Sequence, residues 1–368
     1  MWVAALFAVI VAPGGCDDDE AKRAEPKPMV QEPDPSSSLE QASRLAFERG
    51  LGYLAREQAR TVDGSFPKGN AQEWAPIGVT ALGALAFLSA GNSPDRGPYG
   101  REVARAVDYL LAHTDLTPGS REHGYISNQG DSISRMHGHG FATLTLAQVY
   151  GMTPGRHGAK NQRLKKALTA AVRLIESAQG PEGGWYYDPR PSGHEGSVTI
   201  CLVQALRAAR NVGVQVDPAG IVRAEDYVLA LRNDAGLFRY QLDRNDASVA
   251  LTAAAIGTLN AAGRYDDAVI RDSVEAIWTR LELRAQEGKP SRRRAFRVYE
   301  RLYLAQAFWQ LSDTSHFERW FEEERARLVR TQNEDGSWSN PEYGTSYATA
   351  VHCLVLAVPD GLLPIFQR

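Results

Sequence analysis

The 368-residue chain is 43% hydrophobic and 23% charged, ordinary for a globular protein, and its length allows two domains or one large one. A formal net charge of −3 leaves no cationic excess to neutralise phosphates, which excludes nucleic acid as a partner on bulk charge. Three cysteines are too few for a disulfide-held scaffold and match no structural zinc spacing, while a mean hydropathy of −0.35 excludes a polytopic membrane protein.

The chain opens on an unbroken apolar run, Val3–Ala12, too short to span a bilayer but of the length of an export-signal core. Pro13-Gly14-Gly15-Cys16 and a run of acidic residues follow. Small residues directly before a cysteine, just after an apolar core, resemble a bacterial lipoprotein signal. That resemblance implies a lipidated Cys16 and a body held at a membrane surface. A proline three positions before Cys16 and the lack of Lys or Arg ahead of the core depart from the pattern. A plain secretory signal and an uncleaved anchor are therefore the alternatives over residues 1–16. Residues 17–38 are acidic, then rich in Pro and Ser, with almost nothing to bury. Ordering them would cost conformational entropy without return, so they are expected to be a disordered tether.

Residues 39–368 are built from a repeat. Gln179–Trp185 and Gln332–Trp338 share the form Q-x-x-x-G-x-W, and each follows an amphipathic run (Leu164 to Ser177; Phe317 to Arg330). Degenerate copies stand at Gln58 with Gly64-Ser65-Phe66, at His123-Gly124-Tyr125 and at Arg232 with Gly236-Leu237-Phe238. A wide gap before Gly336 has Gln286-Glu287-Gly288 near its middle, where the turn is lost beside Arg292-Arg293-Arg294, which makes six units. Each continues into a helix rich in small and apolar residues: Ile77–Ser89, Gly140–Tyr150, Gly196–Arg210, Ser248–Ala261, Val298–Leu311 and Ser346–Val358. Helices that are apolar all round belong inside, and charged amphipathic ones outside. Six of each predict an all-α fold, an α/α toroid of six helical hairpins forming one monomeric domain.

The Q-x-x-x-G-x-W turns resemble those of squalene–hopene and oxidosqualene cyclases, and the helix pairs resemble the prenyltransferase and squalene-oxidase repeat superfamily. The likeness covers roughly residues 40–368. It implies a toroid whose central cavity is rimmed by the loops that lead into the inner helices. The superfamily's catalytic signatures are missing. The one Asp-rich run, Asp17-Asp18-Asp19, lies in the tether, and Asp266-Asp267 is followed by Asp272, two residues too far for a magnesium–diphosphate motif. Thr199 stands where a zinc-binding Asp would precede Cys201, Ala348 where a ligand His would follow a tyrosine, and no Cys-Gly-Glu-Gln occurs. No cofactor is expected.

The loops before the inner helices still carry chemistry. Inner helices that all start at one end offer unpaired N–H groups there, so the side chains just before them should share a mouth. His137, His139, Tyr187, His194, Asp246 and Tyr347 are the candidate ligand contacts, with Asp246 and His139 the candidate catalysts. His137 and His139, taken as an extended His-x-His, could with a carboxylate ligate a metal, although a helix-capping imidazole is the plainer account. Asp246 could act as a general acid if desolvated, or serve as a plain N-cap. Trp185, Trp338 and Phe66 read as packing residues, and Cys201 and Cys353 as buried thiols. The expected protein binds a small-molecule, isoprenoid or glycan ligand in its cavity. A terpenoid cyclase or prenyl-transferring enzyme with unusual catalytic residues, or a carbohydrate-active enzyme, are the alternatives. An aromatic and aliphatic lining favours an isoprenoid, and a lining of carboxylates and Arg favours a glycan or peptide.

Overall fold

The computed structural model describes residues 35–368 except 95, 154–157, 262, 265–266, 288–294, 365–366 and 368. Cys16, most of the tether and Arg292–Arg294 lie outside the described residues. Within them the chain forms six hairpins of an outer and an inner helix: α1 (Pro35–Gln58) with α2 (Pro76–Ser89), α3 (Gly100–Ala112) with α4 (Arg135–Met152), and α5 (Ala159–Ser177) with α6 (Gly196–Asn211). The second half continues with α7 (Pro218–Ala230) and α8 (Val249–Ala261), α9 (Ala268–Glu287) and α10 (Ala295–Trp309), and α11 (Ser315–Thr331) and α12 (Thr345–Ala357). The even-numbered helices pack each on the next, and α12 closes onto α2. Each rests on the outer helix that follows it, α12 on α1. This is the expected α/α toroid.

The sequence pattern accounts for the two rings. Every residue of Pro76–Ser89 is buried, as an apolar helix without a polar face requires. In α5, Leu164, Leu168 and Ile175 turn inward while Lys165, Lys166 and Arg173 stay in solvent. Inner helices start on recognisable signals: Pro76 opens α2, and Ser248 Oγ accepts the Leu251 N–H at 3.2 Å. Two starts differ from expectation. α4 begins at Arg135, five residues before Gly140, and α9 runs through Gln286 and Glu287 where a turn was expected.

The Gln-Gly-Trp turns are joints between units. Gln179 Nε2 donates to the Gly183 and Gly220 carbonyls, both at 2.8 Å, and Gln58 Nε2 donates to Gly64 and Glu102. Gln332 Nε2 donates to Gly336 at 2.9 Å and to Ala46 of α1 at 2.7 Å, so the sixth turn grips the first helix and closes the ring. Gly183 has φ +91°, and a Cβ there would stand 2.3 Å from the Arg223 carbonyl oxygen, so only glycine fits. Trp185 is fully buried, with its indole N–H donating to the Ile175 carbonyl at 2.7 Å.

Candidate functional site

Among the described residues, five turns lead from an outer helix into an inner one, so they gather at one face of the ring, the mouth. Two features are built there. The first is a cavity of about 350 Å³ between the sixth and first units. Tyr53, Trp74 and Tyr343 give it aromatic walls, and Glu57, Glu73, Asp335, Arg60 and Lys68 bring charge of both signs. Main-chain bonds from Gln72 N–H to Pro341 O (3.0 Å) and Glu73 N–H to Glu342 O (2.8 Å) fasten its two loops together. The Trp74 indole lies against Gly130, where an added Cβ would fall 2.1 Å from the ring. Burial first, then the Glu57 and Asp335 carboxylates, push the Tyr53 phenol up to about 12, so it stays a neutral donor.

The second feature surrounds the start of α6. Glu195 caps that helix and is fully buried. Its carboxyl accepts the Ser197 N–H (3.0 Å), the Val198 N–H (2.5 Å) and the Ser197 hydroxyl (2.9 Å). Burial pushes Glu195 up to about 7 against the opposing pull of those donors. His137 Nε2 lies 3.0 Å from Ser197 Oγ and 3.9 Å from Glu195 Oε1. Burial drives this imidazole down to about 4 and keeps it neutral. The His137 and Tyr187 rings are 5.7 Å apart, and the Tyr187 and Tyr240 hydroxyls are hydrogen-bonded to each other. Arg135, the one non-glycine residue with positive φ among those described, pairs with Asp188 at the rim.

Below this rim the bore is bridged. Gln204 Nε2 of α6 donates to Gln306 Oε1 of α10 at 2.9 Å, across two helices that are not ring neighbours. Above the bridge, the Tyr299 and Tyr303 hydroxyls are buried and find no partner beyond each other. Burial raises both phenols, and the Glu195 and Cys201 side chains add to the shift.

Of the six nominated contacts, the structure brings His137 and Tyr187 together. Tyr347 stands edge-on against Tyr343 of the cavity, ring centroids 5.5 Å apart. The other three stand elsewhere. His139 is fully buried and turned outward: its Nδ1 accepts the Ile126 N–H (3.1 Å), and its Nε2 faces the Ala171 carbonyl of α5 (3.3 Å). The His-x-His segment is helical rather than extended, and residues two apart on a helix point about 200° away from each other. The two rings cannot converge on one ion, and among the described residues no three His, Cys, Asp or Glu gather closely enough to hold a metal. His194 Nδ1 meets the Tyr227 hydroxyl of α7 at 3.0 Å. Asp246 is 45% exposed and paired with Arg244 at 2.9 Å, and the cap of α8 is Ser248, so the desolvation that a general acid needs is missing. Glu195, Ser197, Tyr240, Tyr299 and Tyr303 were not among the nominated contacts. The signal for Glu195 was present, since it directly precedes the third inner helix, but glutamate is outside the residue types preferred at an N-cap.

Fold and mouth together define an α/α-toroid protein with a polar rim and a phenol-lined bore. No family model matches the sequence, and neither does any curated protein. Solved structures do. The chain is similar to a GH76 α-mannanase of Bacteroides thetaiotaomicron (10% identity, TM-score 0.60, 86% of this chain and 94% of that one). It is similar to cellobiose 2-epimerase of Spirochaeta thermophila (16%, TM-score 0.58, 87% and 97%). A type II terpene cyclase of Scytonema, solved with geranylgeranyl dihydroxybenzoate, matches at 16% identity and TM-score 0.53 over 88% of this chain and 99% of that one. At such identities the likeness establishes the fold alone.

Proposed function

We propose that this chain is an exported α/α-toroid protein that takes a glycan-type ligand at its mouth. The lining of the 350 Å³ cavity carries the reading. Glu57, Glu73, Asp335, Arg60 and Lys68 can hydrogen-bond ring hydroxyls, while Trp74 and Tyr343 offer flat faces to the C–H side of a sugar. A prenyl chain has no use for five charged groups. Titrating the protein with manno- and gluco-oligosaccharides, followed by tryptophan fluorescence, should give saturable binding. Trp74→Ala should weaken it roughly tenfold, about 1.4 kcal/mol. Unchanged affinity in that variant would remove the cavity from the reading.

A second reading, isoprenoid chemistry, draws on the tyrosine-lined bore around Glu195. Tighter binding of a prenylated aromatic than of any oligosaccharide in the same titration would select it. Export rests on Val3–Ala12, and attachment to a membrane surface rests on Cys16. Mass spectrometry of the protein from its native host is expected to find an acylated Cys16 as first residue. An unmodified Cys16, or a mature terminus elsewhere, would refute the anchor.

A further inference from the structure

The groups at the start of α6 form a continuous hydrogen-bonded chain that the cavity does not use. It runs from the fully buried Glu195 carboxyl, through the Ser197 hydroxyl at 2.9 Å, to His137 Nε2 at 3.0 Å. The His137 side chain keeps 19% of its surface exposed, so the chain ends at the mouth. With Nε2 committed to Ser197, Nδ1 is the atom through which this ring can exchange a proton.

We propose that Glu195, Ser197 and His137 are a proton relay, in which His137 Nδ1 takes a proton from, or returns one to, a hydroxyl or carbonyl oxygen of a ligand lying beside Tyr187 and Tyr240. The sugar-type ligand rests on the glycan reading; the relay does not. The step balances. With Glu195 ionised, Ser197 donates to the carboxylate, His137 Nε2–H donates to Ser197 Oγ, and Nδ1 carries a lone pair. A proton arriving at Nδ1 releases the Nε2 proton to Ser197, which passes its own to Glu195. The carboxylic acid then donates to Ser197 Oγ, Ser197 donates to Nε2, and the ring is the Nδ1–H tautomer. One proton has entered, no imidazolium persists, and no other reactant is needed.

Two observations support it. Burial holds His137 near 4 and lifts Glu195 to about 7, so one added proton rests on the carboxyl. Facing that carboxyl, Tyr187 and Tyr240 from the rim loops, Tyr227 from α7, Cys201 from α6 and Tyr299 from α10 are all raised by burial and neutral at pH 7. No cation competes for the proton there among these groups. Independently, Tyr303 is fully buried, and its hydroxyl and that of Tyr299 find no partner beyond each other. A phenol pair paired only with itself keeps hydrogen-bonding capacity to offer an oxygen-bearing guest.

Nitrogen-15 NMR of the histidine rings in the full chain tests the relay directly. The expected result is a switch of His137 from the Nδ1–H to the Nε2–H tautomer as pH rises through about 7, without an imidazolium signature at any point between about pH 5 and about pH 9. Ser197→Ala should abolish the switch, and Glu195→Gln should do so too. A single tautomer held across that range, or conversion to imidazolium with a midpoint near the ordinary histidine value, would overturn the proposal, as would a switch that survives Ser197→Ala. Oligosaccharide titration of the same samples separates the two readings. An intact switch without sugar binding supports the relay and sinks the glycan reading, and sugar binding without the switch does the reverse.

Discussion

Replacing Trp338 by alanine is expected to lower the unfolding free energy by about 3–5 kcal/mol, the range for emptying a large buried aromatic site. The indole is 2% exposed and donates to the Leu328 carbonyl at 3.0 Å, while its own main-chain N–H is held by Thr349 Oγ1 at 3.0 Å. Its ring reaches Gly50 of α1 and stands edge-on to His352, centroids 5.5 Å apart. It thus fills the junction where the last unit meets the first. Truncation leaves both a void and an unpaired carbonyl at the ring's seam. Urea melts followed by circular dichroism would measure the loss, and a change under about 1 kcal/mol would mean that the seam repacks. Trp338→Phe should retain much of the lost stability, since only the indole bond and part of the volume go.

His139→Thr is expected to make the protein more resistant to acid. In three other units a threonine does what His139 does here: Thr199, Thr252 and Thr349 accept the N–H of Trp185, Phe238 and Trp338 at 2.9–3.0 Å. Burial lowers His139 from 6.5 to about 4, so the unfolded chain binds its proton more tightly than the folded one. Stability from this group is therefore complete above the unfolded value and lost as pH falls from about 6.5 toward about 4. The shift corresponds to about 2.5 kcal/mol at pH ~4.5. His137 and His352 have the same sign and Glu195 the opposite one, so the contrast between variant and parent isolates the one ring. Denaturant melts at pH ~7.5 and ~4.5 should show the parent losing about that much more than the variant. An equal loss in both would show that His139 is not the acid-sensitive group.

The architecture could be read because it is written redundantly. Two intact turns, Gln179–Trp185 and Gln332–Trp338, fix the period, and helices such as Pro76–Ser89 have no polar face to leave outside. The site was less legible because its meaning lies in which way each side chain turns. His137 and His139 look alike in sequence, yet the onset of α4 at Arg135 sends one toward α6 and the other toward α5. Asp246 precedes an inner helix just as Glu195 does, but it reaches solvent and Arg244, while Glu195 folds back onto its own helix. Tyr299 and Tyr303 sit within a helix that looks like plain core, and only the bore gives their hydroxyls significance.

The alternation of helices also fixes a direction. Every outer helix runs toward the mouth, so α1 enters the body at the opposite face, and α12, running back from the mouth, leaves there too. Whatever precedes Pro35 is therefore joined to the body's blind side. A protein captured by that end on a sensor chip or a bilayer would present its open face to the bulk solution, with the full depth of the toroid between the ligand and the attachment point.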